Sequence, residues 1–185
     1  MPTTDEVAAL KRIIEITGAL NSTLNVDELL EMIMKSASEL LNAETSSLLL
    51  LDEESGDLVI HVATGEPGER VERRHVPPGK GIAGAVLESG EPTVISDAKT
   101  DERFYGVMDQ ATGFETKNML ALPLKVRDQS IGVVEVINKL EGAFSAADAE
   151  LAQALANQAA IAIDNARFYA RLADAVVTSR MSYRI

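Results

Sequence analysis

Val7, Leu10, Ile14, Thr17, Asn21 and Leu24 recur at alternating three- and four-residue steps, and Ile13, Ile16 and Leu20 form a second stripe beside them. The period is helical and predicts a first helix over residues 5–21. Two stripes on one helix call for two partners, its own domain and something else. A second helix is predicted over residues 26–41, opened by Asn25 and carrying Leu29, Leu30, Ile33, Met34, Ala37, Leu40 and Leu41 on its apolar face. The pattern then shortens to strand-like runs at 46–52 and 58–63, separated by Glu54-Ser55-Gly56-Asp57, which reads as a hairpin turn. A polar segment over 65–75 adds a further edge strand.

The run VPPGKGIAGAVLESG predicts a sharp loop followed by a short helix over 82–89, ended by Gly90. EPTVIS is a short strand. Residues 104–113 form a helical turn or short helix inside a long connection, the usual setting of a ligand lid. A second hairpin follows over 118–126 and 130–138, turning at Arg127-Asp128-Gln129. From Ser145 a helix without glycine or proline runs to about residue 177, opened by Ser145-x-x-Asp148, a capping-box pattern with Asp in place of the usual Glu or Gln. Ala152, Ala159, Ala166 and Ala173 repeat by heptads, with Leu155, Ala162, Tyr169 and Val176 on the adjoining register. This small-residue seam predicts close helix–helix approach, as a dimer bundle with the first helix; packing on the chain's own sheet is the plainer alternative. The order of elements gives an α+β domain, a central antiparallel sheet flanked by helices. Its parts are an N-terminal helix (1–25), a globular domain (26–165) and a helical extension (166–185).

Charge narrows the function. The chain of 185 residues carries 17 basic and 29 acidic side chains, net −12, which argues against a general nucleic-acid or anionic-membrane surface but not against one small ligand in a favourable pocket. It has no cysteine, so disulfides, thiolate metal sites and cysteine nucleophiles are excluded. Neither a signal peptide nor a membrane-spanning run is legible, and a cytoplasmic location is expected. His61 and His75 are the only histidines, and no hydrolase triad or metal-ligand spacing accompanies them, so an enzyme is not expected. His75 falls on a charged run that reads as a solvated edge.

Candidate chemistry lies elsewhere. In SIGVVEVIN, alternation puts Glu135 on the face of Ile131, Val133 and Ile137, where a carboxylate is costly unless a donor meets it or the face is wet. Thr112 and Thr116 are four apart and share a face if their segment is helical; Gly113 between them makes a loop equally plausible, with the hydroxyls capping local backbone. Ile82 and Ala83 open the short helix, whose free N–H groups suit an anion without a basic patch. Lys139 ends a strand and Asp148 opens the long helix, so an ion pair between them would tie sheet to helix.

The stretch RFYGVMDQATGFETKNMLALPL, then SIGVVEVINK, Phe144 and Asp148, resembles the GAF domains of cyclic-nucleotide phosphodiesterases and bacterial adenylyl cyclases, over roughly residues 26–165. Asn138, Lys139, Phe144 and Asp148 look like that subgroup's "NKFDE" motif, with Ala149 where its last acid is expected and Glu150 one place later. The resemblance implies a regulatory module with a closed pocket. Ser47, Tyr105, Thr112, Thr116 and Glu135 would meet the base and ribose of cAMP or cGMP, and Ile82 and Ala83 its phosphate. It implies that the motif residues stabilise the pocket without touching ligand, and that no cofactor or metal is needed. Relatives that reduce methionine sulfoxide through thiols, or attach bilins through cysteine, are excluded as functional analogues. The Phe-Asp pair that follows the second strand in mammalian relatives is replaced here by Ala63-Thr64-Gly65-Glu66-Pro67. Losing that stacking surface favours the alternative, a dimerising signal-transmission module with a vestigial pocket.

Overall fold

The computed structural model describes residues 4–20, 25–65 and 73–182. Helix α1 (Thr4–Leu20) and helix α2 (Val26–Leu40) lead into β1 (Ala43–Leu51) and β2 (Leu58–Ala63), and β3 is the short pair His75–Val76. Helix α3 (Gly81–Ser89), strand β4 (Thr93–Ile95), a 3-10 turn (Ala98–Thr100) and helix α4 (Val107–Thr112) cross to β5 (Met119–Val126) and β6 (Gln129–Lys139). Helix α5 (Ala146–Ser182) closes the chain. The sheet order is β3-β2-β1-β6-β5-β4, antiparallel throughout.

Strand alternation divides the core in two. Leu48, Leu120, Leu122, Leu124, Val134 and Val136 pack one face of the sheet under α2 and α5, and Leu29, Leu30, Ile33 and Met34 complete that layer. The odd-numbered neighbours Leu49, Met119, Ala121 and Val133 face the other side, covered by Ile82, Ala83 and Val86 of α3. The first layer is the main core; the second surrounds the cavity described below.

Local chemistry sets the element ends. Asn25 caps α2, its side-chain oxygen accepting from the N–H groups of Asp27 (3.1 Å) and Glu28 (3.5 Å). The β5–β6 hairpin turns through Arg127 (φ 49°) and Asp128 (φ 65°), two left-handed residues as a tight two-residue turn demands. The capping box forms with Asp in the acidic place: Ser145 N–H donates to Asp148 Oδ2 (2.7 Å), and Asp148 N–H donates to Ser145 Oγ (3.1 Å).

The alanine seam corrects one expectation. Ala152, Leu155, Ala159 and Ala162 are all buried in the main core, so the heptad of small residues lets α5 approach its own sheet and α2 rather than a second subunit. The exposed apolar face of α5 is instead Ile161, Phe168, Tyr169 and Leu172, and that of α1 is Val7, Leu10 and Ile14. The side chains of Ala173 and Val176, all of Asn21 and Leu24, and residues 66–72 of the expected edge strand lie outside the described residues. No helix among the described residues is long and apolar enough to cross a membrane.

Candidate functional site

A cavity of about 120 Å³ lies on the α3 side of the sheet. Its floor is Ser47 of β1, Met119 of β5 and Glu135 and Ile137 of β6; Gly81, Ile82 and Ala83 form one wall, and Phe104 to Thr116 form the lid. All seven residues expected to meet ligand line one mainly apolar space, Ser47 and Glu135 from paired strands, Ile82 and Ala83 from α3, and Tyr105, Thr112 and Thr116 from the lid.

Ser47 and Glu135 are direct partners across β1 and β6, and Ser47 Oγ donates to Glu135 Oε2 at 3.2 Å. Among the described residues no other hydrogen bond reaches this carboxylate. Burial pushes the Glu135 carboxyl up to about 7, and the Ser47 hydrogen bond only partly opposes it. Alternation holds for Glu135 with Val133 and Ile137 on the cavity side, but Ile131, at the bulge opposite Leu124/Lys125, packs on the main core instead.

Helix α3 begins at the cavity edge. Gly84 N–H is the first to bond back, to Lys80 O at 3.1 Å, so the amides of Gly81, Ile82 and Ala83 precede the helical ladder. Lys80 stands at the N-cap and its side chain makes no cap hydrogen bond. Gly84 permits this arrangement, because a Cβ there would come within 2.8 Å of the Gly79 carbonyl carbon. Gly81, at φ +73°, lets the backbone pass Tyr105, whose Cβ would be 3.2 Å from an added Cβ.

The lid selects the loop of the two alternatives for the threonines. Helix α4 ends at Thr112, and Gly113 takes the left-handed conformation, so Thr112 and Thr116 do not share a helical face. Thr112 Oγ1 donates to Met108 O at 2.8 Å and accepts from Phe114 N–H at 3.2 Å. Thr116 is buried, with its N–H on Asp109 Oδ2 (2.7 Å) and its hydroxyl on Asp109 Oδ1 (2.8 Å). Both threonines line the cavity while holding the lid's own structure.

Asp109, Phe104, Phe114, Met108 and Thr45 also line the cavity and were not singled out from the sequence. Asp109 had a signal: it stands four residues after Tyr105 and three before Thr112, inside the lid stretch. The missing aromatic after β2 is offset in kind, since Phe104, Tyr105 and Phe114 bring three rings to the cavity from the lid. Among the described residues, Asp109 and Glu135 are the ionisable side chains with a carboxyl or basic group that line the cavity.

Asn138, Lys139, Phe144 and Asp148 are not among the residues lining the cavity. Lys139 Nζ lies 3.0 Å from the Asp148 carboxylate and donates to Leu41 O at 3.0 Å; its ammonium sits 5.5 Å from the centre of the Phe144 ring. Burial alone would raise the Asp148 carboxyl, but the Ser145 N–H, Lys139 and the Ser145 hydroxyl outweigh it and hold the carboxyl below its usual range. The two histidines are at the surface, His61 beside Asp27 (3.1 Å) and His75 beside Asp57 (3.0 Å).

A family model described as GAF domain matches residues 23–164. The chain is 36% identical over 174 residues to the dual 3′,5′-cyclic-AMP and -GMP phosphodiesterase 11 of Drosophila melanogaster, covering 85% of this chain and 12% of that protein. It is 30% identical over 173 residues to a probable 3′,5′-cyclic phosphodiesterase of Caenorhabditis elegans, covering 88% of this chain and 23% of that protein. The chain thus spans under a quarter of the length of these relatives. Among solved structures, the GAF domain of a phosphoenolpyruvate-protein phosphotransferase from Coxiella burnetii superposes with a TM-score of 0.81 at 22% identity, over 91% of this chain and 99% of that one. A free methionine-R-sulfoxide reductase from Neisseria meningitidis shares the fold at a TM-score of 0.69 and 16% identity, over 89% of this chain and 96% of that one. By its sequence match and its six-stranded antiparallel architecture, the chain belongs to the GAF domain family.

Proposed function

We propose that this GAF domain is a regulatory sensor whose cavity takes a cyclic purine nucleotide, cAMP or cGMP, and whose terminal helices carry the bound state outward. The observation that carries the reading is Glu135, a desolvated carboxylate with one hydroxyl partner, lining a mainly apolar cavity with three aromatic rings. A purine edge offers the N–H donors such a group lacks, the rings offer stacking, and the first-turn amides of α3 offer an anion site without a cation. Similarity to a dual cyclic-AMP and -GMP phosphodiesterase supports the same choice. The cavity is smaller than the roughly 300–1,000 Å³ of most ligand pockets. Binding on this reading moves α4 outward, about Gly106 and Gly113 at its ends.

Calorimetry with cAMP and cGMP tests it. We expect saturable heat with at least one of them and a matching rise in Tm. Glu135→Ala should weaken binding by about 10- to 100-fold, the worth of a hydrogen bond to a charged or strongly polar group. No heat and no Tm change at millimolar nucleotide would reject the ligand assignment and leave the family assignment intact. The small cavity and the internally engaged threonines favour a second reading, a ligand-free transmission module.

The partner proposed for the terminal helices is a second copy of this chain. Ile161, Phe168 and Leu172 recur at seven- and four-residue spacing and are exposed, as are Leu10 and Ile14 on the adjacent α1. Phe168→Glu with Leu172→Glu should shift sedimentation from dimer to monomer while the domain stays folded. A double variant that remains dimeric would place the interface elsewhere.

A further inference from the structure

The polar groups that the cavity leaves unused converge at the base of the lid. Asn138 closes β6 in the left-handed region (φ 59°), and its buried side chain is fully engaged. Its Oδ1 accepts from the N–H of Lys117 (2.7 Å) and Asn118 (3.4 Å), and its Nδ2 donates to Glu115 O (2.8 Å) and Glu44 Oε2 (2.9 Å). Asn118 returns the grip: its carbonyl accepts from Asn138 N–H and its side-chain oxygen from Lys139 N–H, both at 2.9 Å. Residues 115–118 are therefore bolted to the end of β6. The same short loop holds Thr116, whose two donors are both on Asp109 of the lid helix.

On the other side, Lys139 holds Asp148, and Asp148 is the residue that caps α5. Lys139 also holds Leu41 O at the C-terminal end of α2. Two consecutive residues thus join the lid clasp to the first turn of the helix that leaves the domain. The links from Asp109 through Asn138 and Lys139 to Asp148 are part-buried, and the capping box in which they end, Ser145 with Asp148, is exposed.

We propose that Asn138 and Lys139 are positioning residues that couple the lid's position to the N-terminal turn of α5. The biological use of this coupling rests on the sensor reading above, but the coupling is a property of the ligand-free chain. A purely structural motif would stabilise the fold and leave lid and helix independent. A coupling motif makes the α5 cap respond when only the lid clasp is loosened.

Amide hydrogen exchange on the ligand-free chain distinguishes the two. Asp109→Ala removes both acceptors of Thr116 and should speed exchange of the Thr116 amide. Coupling predicts that the amides of Asp148 and Ala149, which bond to Ser145, also speed up, on the order of threefold to tenfold. The amides around Leu48, buried in the central strand β1, exchange through global unfolding and so monitor global stability, and the Gly56 amide, in the β1–β2 turn on Asp52 O at 2.8 Å, is a remote local control that should not change. Asn138→Gly keeps the left-handed backbone while deleting the clamp. In that background, Asp109→Ala should still free Thr116 but leave Asp148 and Ala149 at the rate of Asn138→Gly alone. If Asp109→Ala does not fold, Asp109→Asn, which retains one acceptor, gives the same comparison at smaller size. Unchanged exchange at Asp148 and Ala149 beside faster Thr116, or the same acceleration with and without the Asn138 clamp, overturns the proposal. No nucleotide is added, so a failed nucleotide titration and a failed relay are separate results.

Discussion

Ala159→Glu should abolish folding. Ala159 is 0% exposed, in the middle of the α5 face that packs on α2 and the sheet, beside Leu155, Ala156 and Ile163. A glutamate there adds four heavy atoms to a closely packed layer, and overpacking of that kind costs about 1–3 kcal/mol. It also buries a carboxylate with no cation on the surrounding apolar residues, at an effective cost of several kcal/mol. Together these approach the whole stability of about 5–15 kcal/mol expected for a domain. We expect insoluble expression or a chain without a cooperative urea transition. Ala159→Leu isolates the bulk and should fold with reduced stability. Ala166→Glu, at a half-buried position two turns on, should be tolerated. A soluble, cooperative Ala159→Glu protein would mean that α5 does not pack where the structure has it.

The same residue marks the limit of what the sequence made legible. A heptad of alanines reports that something approaches the helix closely. It does not report whether that something is a sheet or another helix, because both prefer small residues at the contact. The strands were readable because alternation is a strong constraint: it put Glu135 on one face with Ile137 and Val133, though the bulge that turns Ile131 to the other side and the pairing of Ser47 with Glu135 appear only in the fold. The Lys139–Asp148 pair and the Ser145 capping box were readable for a different reason, since both depend on residues close in sequence. The lid was not. Its decisive contacts join Asp109 to Thr116 across a left-handed Gly113, and no period announces a carboxylate that folds back seven residues later onto a hydroxyl and an amide. The aromatic lining has no period of its own either, since Phe104 and Phe114 reach the cavity from irregular parts of the lid. The residues to which the family resemblance points line the cavity, yet the hydrogen bonds of Thr112 and Thr116 go to the lid's own backbone and to Asp109.

Glu135→Gln should change the pH dependence of stability more than any other single substitution in the cavity. The folded carboxyl is pushed up to about 7 from an ordinary 4.5, because burial disfavours the charged form. Below the ordinary value both folded and unfolded chains carry the proton, and the group costs nothing. As pH rises the unfolded chain releases it first, so the folded chain holds the extra proton and stability falls through the window from about 4.5 to 7. Above that window the folded state carries the full cost of a buried anion, on the order of 3 kcal/mol. Glutamine has the same shape, still accepts from Ser47, and cannot ionise. Urea denaturation of the two proteins should therefore agree near pH 4.5 and diverge progressively, with Glu135→Gln the more stable by about 2–3 kcal/mol at pH 8. The difference between the two curves cancels every other titrating group, including the acids held low by surface partners such as Asp101. The sensor reading adds a second consequence. A ligand that donates to Glu135 favours the anion, so binding near pH 7 should release a fraction of a proton, seen as a buffer-dependent heat that Glu135→Gln lacks. Parallel stability curves from pH 5 to 8, or a glutamine variant less stable than the parent at pH 8, would show that the carboxylate is already well compensated, and the argument that it waits for a ligand would fall with it.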